Sequence, residues 1–142
     1  MIYTKDHKQL DMFSPFASLG TKRVALLESS WAHLFREEIL HELPADKLFP
    51  FYDEFQGRKT KELYAMLGLV LIQQMEDCTD EQAVQQFALN LMWQYALNIT
   101  DASDFASYVS ARTLWKVRDI VARHGLTGRD SHGEWVTKCC RD

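Results

Sequence analysis

The segment from Lys61 to Met75 restricts most strongly what this chain can fold into. It consists mainly of good helix formers, and between Leu63 and Ile72 a helix built from it is apolar on almost every side. A helix of that kind is normally the buried centre of a bundle, because a helix at the surface needs a polar face. Gly68 lies in the middle of the segment and would allow a close helix crossing. The apolar run is too short to span a bilayer, which takes about 18 residues or more.

Helical periodicity recurs upstream and downstream of that segment. Apolar residues at helical spacing predict a helix that begins at Trp31 and ends before Pro44. A capping box predicts the start of another helix, since Thr79 suits the N-cap and Gln82 the third helical position. An apolar block over residues 92–97 predicts a bent extension of that helix. No run alternates between apolar and polar residues, so we expect no strands and an all-α fold, a compact helical bundle.

The last predicted helix begins near Ser110, ends at Gly125 and has two different sides. At about 100° per residue, its apolar side chains lie on one face, and three basic side chains lie within roughly 40° of one another on the opposite face. The apolar face consists of Leu114, Val117 and Val121, and the basic stripe of Arg112, Lys116 and Arg123. We expect the apolar face to dock on the bundle and the basic stripe to face outward.

Charge is distributed unevenly along the chain. The net charge is −4, which argues against a protein that coats nucleic acid through bulk charge. Residues 111–142, however, hold seven basic and four acidic side chains, whereas residues 1–110 hold nine and sixteen. The positive part coincides with the last helix, and a docked helix with a basic outer face is typical of DNA-binding proteins. A solvated amphipathic helix with ordinary surface charge gives the same pattern, so the charges alone leave both interpretations open.

The sequence contains no recognisable catalytic or cofactor-binding motif: there is no Walker A loop, no GxGxxG and no HExxH. The three cysteines, Cys78, Cys139 and Cys140, are an odd number with one adjacent pair and without a CxxC spacing, so we expect reduced thiols and no metal site. We therefore expect no catalytic residue and no cofactor. The first residues lack the pattern of a signal peptide, and the expected location is the cytoplasm, without a membrane partner.

A length of 142 residues suits one domain, and breaks in the helical pattern suggest its bounds. Residues 1–20 contain Pro15 and Gly20 without a clean period, which predicts a flexible N-terminal arm. Residues 21–124 carry the predicted helices and form the domain. Residues 125–142 are expected to form a loose C-terminal tail.

Three stretches of the chain, taken in order, carry a family resemblance. They are GRKTKELYAMLGLVLIQQM (residues 57–75), TDEQAVQQFALNLMWQYALNI (79–99) and SARTLWKVRDIV (110–121). In this order and spacing they resemble the N-terminal domain of DDE transposases from bacterial insertion sequences. The upstream stretches SWAHLFREEILHELP and LFPFYDEF look like the leader of the same family. Two departures, Lys59 in place of a commoner proline and Ala111-Arg112 in place of Pro-Lys, keep or add positive charge.

The resemblance implies an all-helical domain with a helix-turn-helix-like C-terminal part, which binds double-stranded DNA at the terminal inverted repeats of the mobile element. The catalytic domain of the family, with its Asp, Asp and Glu metal ligands, normally follows in a longer chain, so we expect this chain to lack catalysis of its own. The residues expected at the DNA are Ser110, Arg112, Thr113, Lys116, Arg118 and Arg123 of the last helix and the cluster Arg58, Lys59 and Lys61. The alternative is a helical protein-interaction or dimerisation module of a truncated transposase, which would form homo-oligomers.

Overall fold

A computed structural model describes residues 2–8, 14–52 and 59–124 together with the backbone of residues 126–129 and 135–137. Seven α-helices and four shorter helical segments make up most of these described residues. The helices are α1 (Thr21–Glu28), α2 (Trp31–Leu34), α3 (Leu63–Glu76), α4 (Asp80–Leu89), α5 (Leu91–Ala96), α6 (Asp104–Ser107) and α7 (Ala111–His124). Shorter 3₁₀ segments lie at Pro15–Ser18, Leu40–Glu42 and Ala45–Phe51, and a π-helical turn lies at Phe35–Ile39. The predicted all-α fold class is confirmed for this helical part.

Helix α3 is the centre of the core, as its sequence predicts. Most of its side chains are buried, and α4 and α7 pack against it and against each other. The helix begins after Glu62, whose carboxylate accepts hydrogen bonds from two backbone N–H groups of the first turn. A Cβ placed on Gly68 would lie 2.5 Å from the side chain of Leu97 and 3.4 Å from those of Leu40 and Phe35. The predicted close approach at this glycine is therefore confirmed.

The start and the bend of the next helix also follow the prediction. Thr79 accepts a hydrogen bond from the backbone N–H of Gln82, and the Gln82 side chain accepts one from the N–H of Thr79, so the capping box is complete. Asn90 ends α4 and at the same time caps α5, because its side chain accepts a hydrogen bond from the N–H of Met92. The break at Asn90 separates the two apolar blocks that the sequence contains.

The helix that begins at Trp31 differs from the prediction in its second half. It passes from α-helix into a π-helical turn over Phe35–Ile39, and a turn of that kind takes one additional residue. The additional residue moves the core-facing position, so Leu40 is fully buried while Ile39 is only half-buried. Leu34, which the helical spacing places on the inward face, is 60% exposed.

A short hairpin follows the last helix. Strand β1 (Leu126–Arg129) pairs antiparallel with β2 (Trp135–Thr137), where the sequence predicts a loose tail and no strands. Each strand has only three or four residues, which is too few for an alternating pattern to stand out.

None of the helices in the described ranges has the length and apolar character that crossing a bilayer requires.

Candidate nucleic-acid interface

Helix α7 docks on the core through the face that the sequence predicts. Leu114, Val117 and Val121 are buried, and Ile120 joins them. Its first turn is capped by Ser110, whose hydroxyl oxygen accepts a hydrogen bond from the backbone N–H of Thr113 at 3.2 Å. The two side-chain hydroxyls also lie 3.0 Å apart. Because the inward face is fixed, the basic stripe is held on the outside.

Two residues of that stripe, Arg112 and Lys116, are exposed and lie one turn apart on α7. The third, Arg123, is also exposed, and its Nε lies 3.1 Å from a carboxylate oxygen of Asp119, one turn earlier. An exposed ion pair of this kind contributes about 0–1 kcal/mol and weakens with salt. Arg123 therefore stays at the surface near the C-terminal end of the stripe.

Arg118 lies in a different environment from the other basic residues of α7. Its guanidinium donates two hydrogen bonds to the carboxylate of Asp80 at the start of α4, one of them at 3.0 Å, and a third at 3.3 Å to the side chain of Gln73 on α3. The hydrogen bond from Arg118, more than that from Gln73, holds the pKa of the Asp80 carboxyl below its usual value, against the opposing effect of burial. The structure thus brings Arg118 to α4, not to the basic stripe.

The second predicted cluster lies just before α3, and the structure describes two of its three members. The Nζ of Lys59 lies 3.7 Å from the centre of the Tyr3 ring and 5.5 Å from that of Phe105, which are cation–π distances. The Nζ of Lys61 donates a hydrogen bond to the backbone carbonyl of Phe105 at 2.6 Å. Arg58 lies outside the described residues.

Lys59 and Lys61 line the same groove as Lys116 of the basic stripe, whereas Arg112 and Arg123 do not line it. The groove has a volume of about 420 Å³ and lies between the segment that precedes α3, the turn before α7 and the first turns of α7. We call it the lysine groove. It is lined by Tyr52, Lys59, Thr60, Lys61, Leu63, Met66, Phe105, Tyr108, Ser110, Thr113, Lys116 and Val117. Five residues predicted to contact DNA therefore meet there: Lys59, Lys61, Ser110, Thr113 and Lys116.

Aromatic rings lie beside the lysines of this groove. The Nζ of Lys116 lies 4.9 Å from the centre of the Tyr52 ring, and the Nζ of Lys61 lies 4.7 Å from that of the Phe105 ring. Burial raises the pKa of the Tyr52 hydroxyl above its ordinary value. The sequence indicated the lysines through their charge, but nothing in it indicated that Tyr52 and Phe105 would stand beside them.

The N-terminal residues, which we expected to form a flexible arm, run extended along the start of α3. The N–H of Tyr3 donates to the hydroxyl of Thr60 at 2.9 Å, and the N–H of Leu63 donates to the carbonyl of Tyr3 at 3.2 Å. The side chain of His7 is 2% exposed, and its Nε2 lies 3.0 Å from the Glu62 carboxylate. These contacts connect the N-terminal residues to the segment that contains Lys59 and Lys61.

A second, apolar cavity lies on another side of α7. It has a volume of about 600 Å³, and Leu67, Val70 and Leu71 of α3 contribute to its lining. Trp115 of α7 lines this cavity, and 53% of its surface is exposed.

Within the described ranges, no three His, Cys, Asp or Glu side chains are grouped so that they could hold a metal ion. Cys78 is a free thiol, and the other two cysteines lie outside the described residues.

Comparison with protein families gives a match over residues 29–119, which is more than half of the chain, to the family described as Transposase domain (DUF772). The chain belongs to this transposase domain family. The matched range of the transposase domain begins just before α2, ends within α7 and includes the lysines of the groove. Comparisons with curated proteins and with solved structures give no match. Membership of a transposase family points to interaction with DNA in general.

Proposed function

We propose that this transposase domain is the N-terminal DNA-binding domain of a DDE transposase from an insertion sequence, and that it recognises the terminal inverted repeats of the element. We further propose that it has no catalysis of its own and that strand cleavage belongs to a separate catalytic domain. The observation that supports the proposal best is the meeting of Lys59 and Lys61 with Lys116 in one groove beside the first turns of α7, inside a transposase domain.

In this proposal α7 is the recognition helix of a helix-turn-helix-like unit. Its first turns reach the major groove of the duplex, where Arg112 and Lys116 contact guanine edges or phosphates. Lys59 and Lys61 contact the phosphates on the other side of the lysine groove. Arg123 serves as a weaker phosphate contact because Asp119 competes for it, and Arg118 acts through the position of α7 and not at the DNA.

The charge distribution supports one orientation on the duplex. The acidic excess lies in residues 1–110 and the basic excess in residues 111–142. DNA attracts the exposed Arg112, Lys116 and Arg123 of α7, so these charges steer the helix toward the duplex. Most sequence-independent affinity would then come from the lysines and arginines around this one end.

The test is a binding titration of the domain with a terminal-repeat duplex and with a scrambled duplex of the same length, over a series of salt concentrations. We expect tighter binding to the repeat, and an affinity that falls as salt rises. The double variant Arg112→Ala/Lys116→Ala should lose about tenfold or more for the repeat. Lys22→Ala is the matched control, because Lys22 is exposed on α1 and does not line the groove.

A result with neither preference for the repeat nor dependence on salt would overturn the DNA proposal. The domain would then be the helical protein-interaction or dimerisation module that the sequence also allows. If the domain prefers the repeat but the double variant binds it unchanged, α7 is not the recognition helix.

A further inference from the structure

We propose that the lysine groove holds an unpaired nucleotide of DNA, next to the duplex that the rest of α7 contacts. The inference rests on the proposed function, because it names a second form of DNA for the same end of the domain. It differs from duplex recognition in the groups that it uses: the faces of aromatic rings as well as the charges of the lysines.

The chemistry of the groove fits a single strand. Proteins that bind single-stranded nucleic acid combine a basic groove, which follows the phosphates, with aromatic side chains on which the bases stack. The lysine groove has three lysines and three aromatic residues within one depression. Duplex recognition has no use for exposed ring faces, since the bases of a duplex are stacked on one another.

The volume of the groove also fits a single nucleotide. Its volume of about 420 Å³ falls in the range of about 300–1,000 Å³ that pockets for small ligands occupy. A single nucleotide can enter a space of this size, whereas a duplex can only lie across its opening. A duplex alone would therefore leave most of the groove unfilled.

Tyr108 is the ring that is placed to stack with a base. It is 50% exposed, whereas Tyr52 and Phe105 are half-buried in the walls and already lie under lysines. Its neighbour Val109 is fully buried, and its own N–H donates to the carbonyl of Asp104 at 3.2 Å, so the backbone at Tyr108 is held in place. A large exposed ring on an anchored backbone has no packing role that explains it.

The hydroxyl pair in the groove supplies a polar contact for the base. The oxygen of Ser110 already accepts a hydrogen bond from the backbone N–H of Thr113, and the two hydroxyls share one further hydrogen bond between them. One of the two hydroxyl protons takes part in that shared bond, so the other remains to donate to a ligand. The groove thus offers cations for the phosphate, a ring for the base face and a donor for the base edge.

The test uses a short oligothymidine of about 12 nucleotides, within the usual site size of single-strand binders, and a blunt duplex of similar length. We expect the wild-type domain to bind the oligothymidine, and Tyr108→Ala to weaken that binding about five- to hundredfold, the range of base–aromatic stacking, with little change for the duplex. Tyr108→Phe should retain the binding of the single strand because the ring remains. Trp115→Ala is the matched control, an exposed aromatic residue of α7 that lies outside the groove.

Three results would overturn the nucleotide site: no binding of oligothymidine, binding that Tyr108→Ala leaves intact, or an equal loss for single strand and duplex. Thermal unfolding of each variant shows that it folds, and Tyr108→Leu replaces the alanine variant if that one does not. Oligothymidine contains no terminal repeat, so the two proposals fail separately. Preference for the repeat without single-strand binding overturns only the nucleotide site, and the reverse result overturns only the proposed function.

Discussion

Arg118 and Asp80 join the last helix of the domain to the start of α4 through a two-pronged ion pair, in which Nη2 of Arg118 lies 3.0 Å from Oδ2 of Asp80. Gln73 of α3 completes the cluster, since its amide nitrogen donates to Asp80 at 2.8 Å and its amide oxygen accepts from Arg118. Three helices therefore meet at one set of hydrogen bonds. The cluster adds a polar connection between α7, α3 and α4 to the apolar contacts that fix the inward face of α7.

Replacing Asp80 by asparagine should destabilise the fold by about 1–3 kcal/mol, because hydrogen bonds to a charged group are lost and the guanidinium of Arg118 stays partly buried without its counter-charge. Denaturant unfolding at neutral pH measures the change. Glu81→Gln is the control, since Glu81 is the exposed neighbour in the same first turn. Equal stability of Asp80→Asn and wild type would mean that the cluster does not hold α7 in place.

The same carboxylate predicts how stability changes with pH. Its pKa is lowered in the folded state, mainly by the hydrogen bond from Arg118. A group of this kind contributes stability above its unfolded pKa of about 3.9, and this contribution is lost as the pH falls toward the folded value. We expect wild type to lose more stability than Asp80→Asn from about pH 5 downward. Parallel curves for the two proteins in acid would contradict the assignment.

Gly68→Ala should destabilise the protein, although alanine is the better helix former. The new methyl group would lie 2.5 Å from Leu97, a fully buried side chain with little room to move. Overpacking costs about 1–3 kcal/mol, which exceeds the ~1 kcal/mol gained in helix propensity. In a Leu97→Ala background the clash is gone, and Gly68→Ala should be neutral or stabilising there. The comparison of the four proteins by thermal unfolding tests this crossing directly, and a Gly68→Ala effect that is the same in both backgrounds would contradict it.

The sequence predicts those parts of the fold that depend on local periodicity and capping. The apolar run around Gly68, the capping box at Thr79 and the inward face of α7 follow from residue spacing alone. The lysine groove does not, because Lys59 and Lys116 are brought together only by the packing of α7 on α3. In the same way, residue spacing does not reveal that Arg118 pairs with Asp80, because Asp80 lies on another helix.

The contacts of the N-terminal segment, predicted as a flexible arm, could not be predicted from the sequence for a different reason. Residues 2–8 carry neither a helical nor a strand period, and their hydrogen bonds to residues distant in sequence lie at the start of α3 and at residues 98–100. His7→Ala should destabilise the fold by about 1–3 kcal/mol, because it leaves a carboxylate oxygen of Glu62 without this partner in a buried place. Thr4→Ala, at an exposed position of the same segment, should have no effect. Faster hydrogen exchange at the start of α3 in His7→Ala would confirm that the loss of stability is local to this contact. Unchanged stability of His7→Ala would mean that the segment adds nothing to the fold.

The two walls of the lysine groove should contribute separately to the salt dependence of DNA binding. If Lys59 and Lys116 each neutralise one phosphate, replacing either by glutamine lowers the slope of log K against log salt concentration by about 0.9, and replacing both lowers it by about twice that amount. The control Lys22→Gln carries the same charge change on α1 and should leave the slope unaltered. Both groove variants lie at exposed positions, so their folding should be unaffected. A slope that changes for Lys116→Gln but not for Lys59→Gln would place the duplex on α7 alone and remove the segment before α3 from the interface.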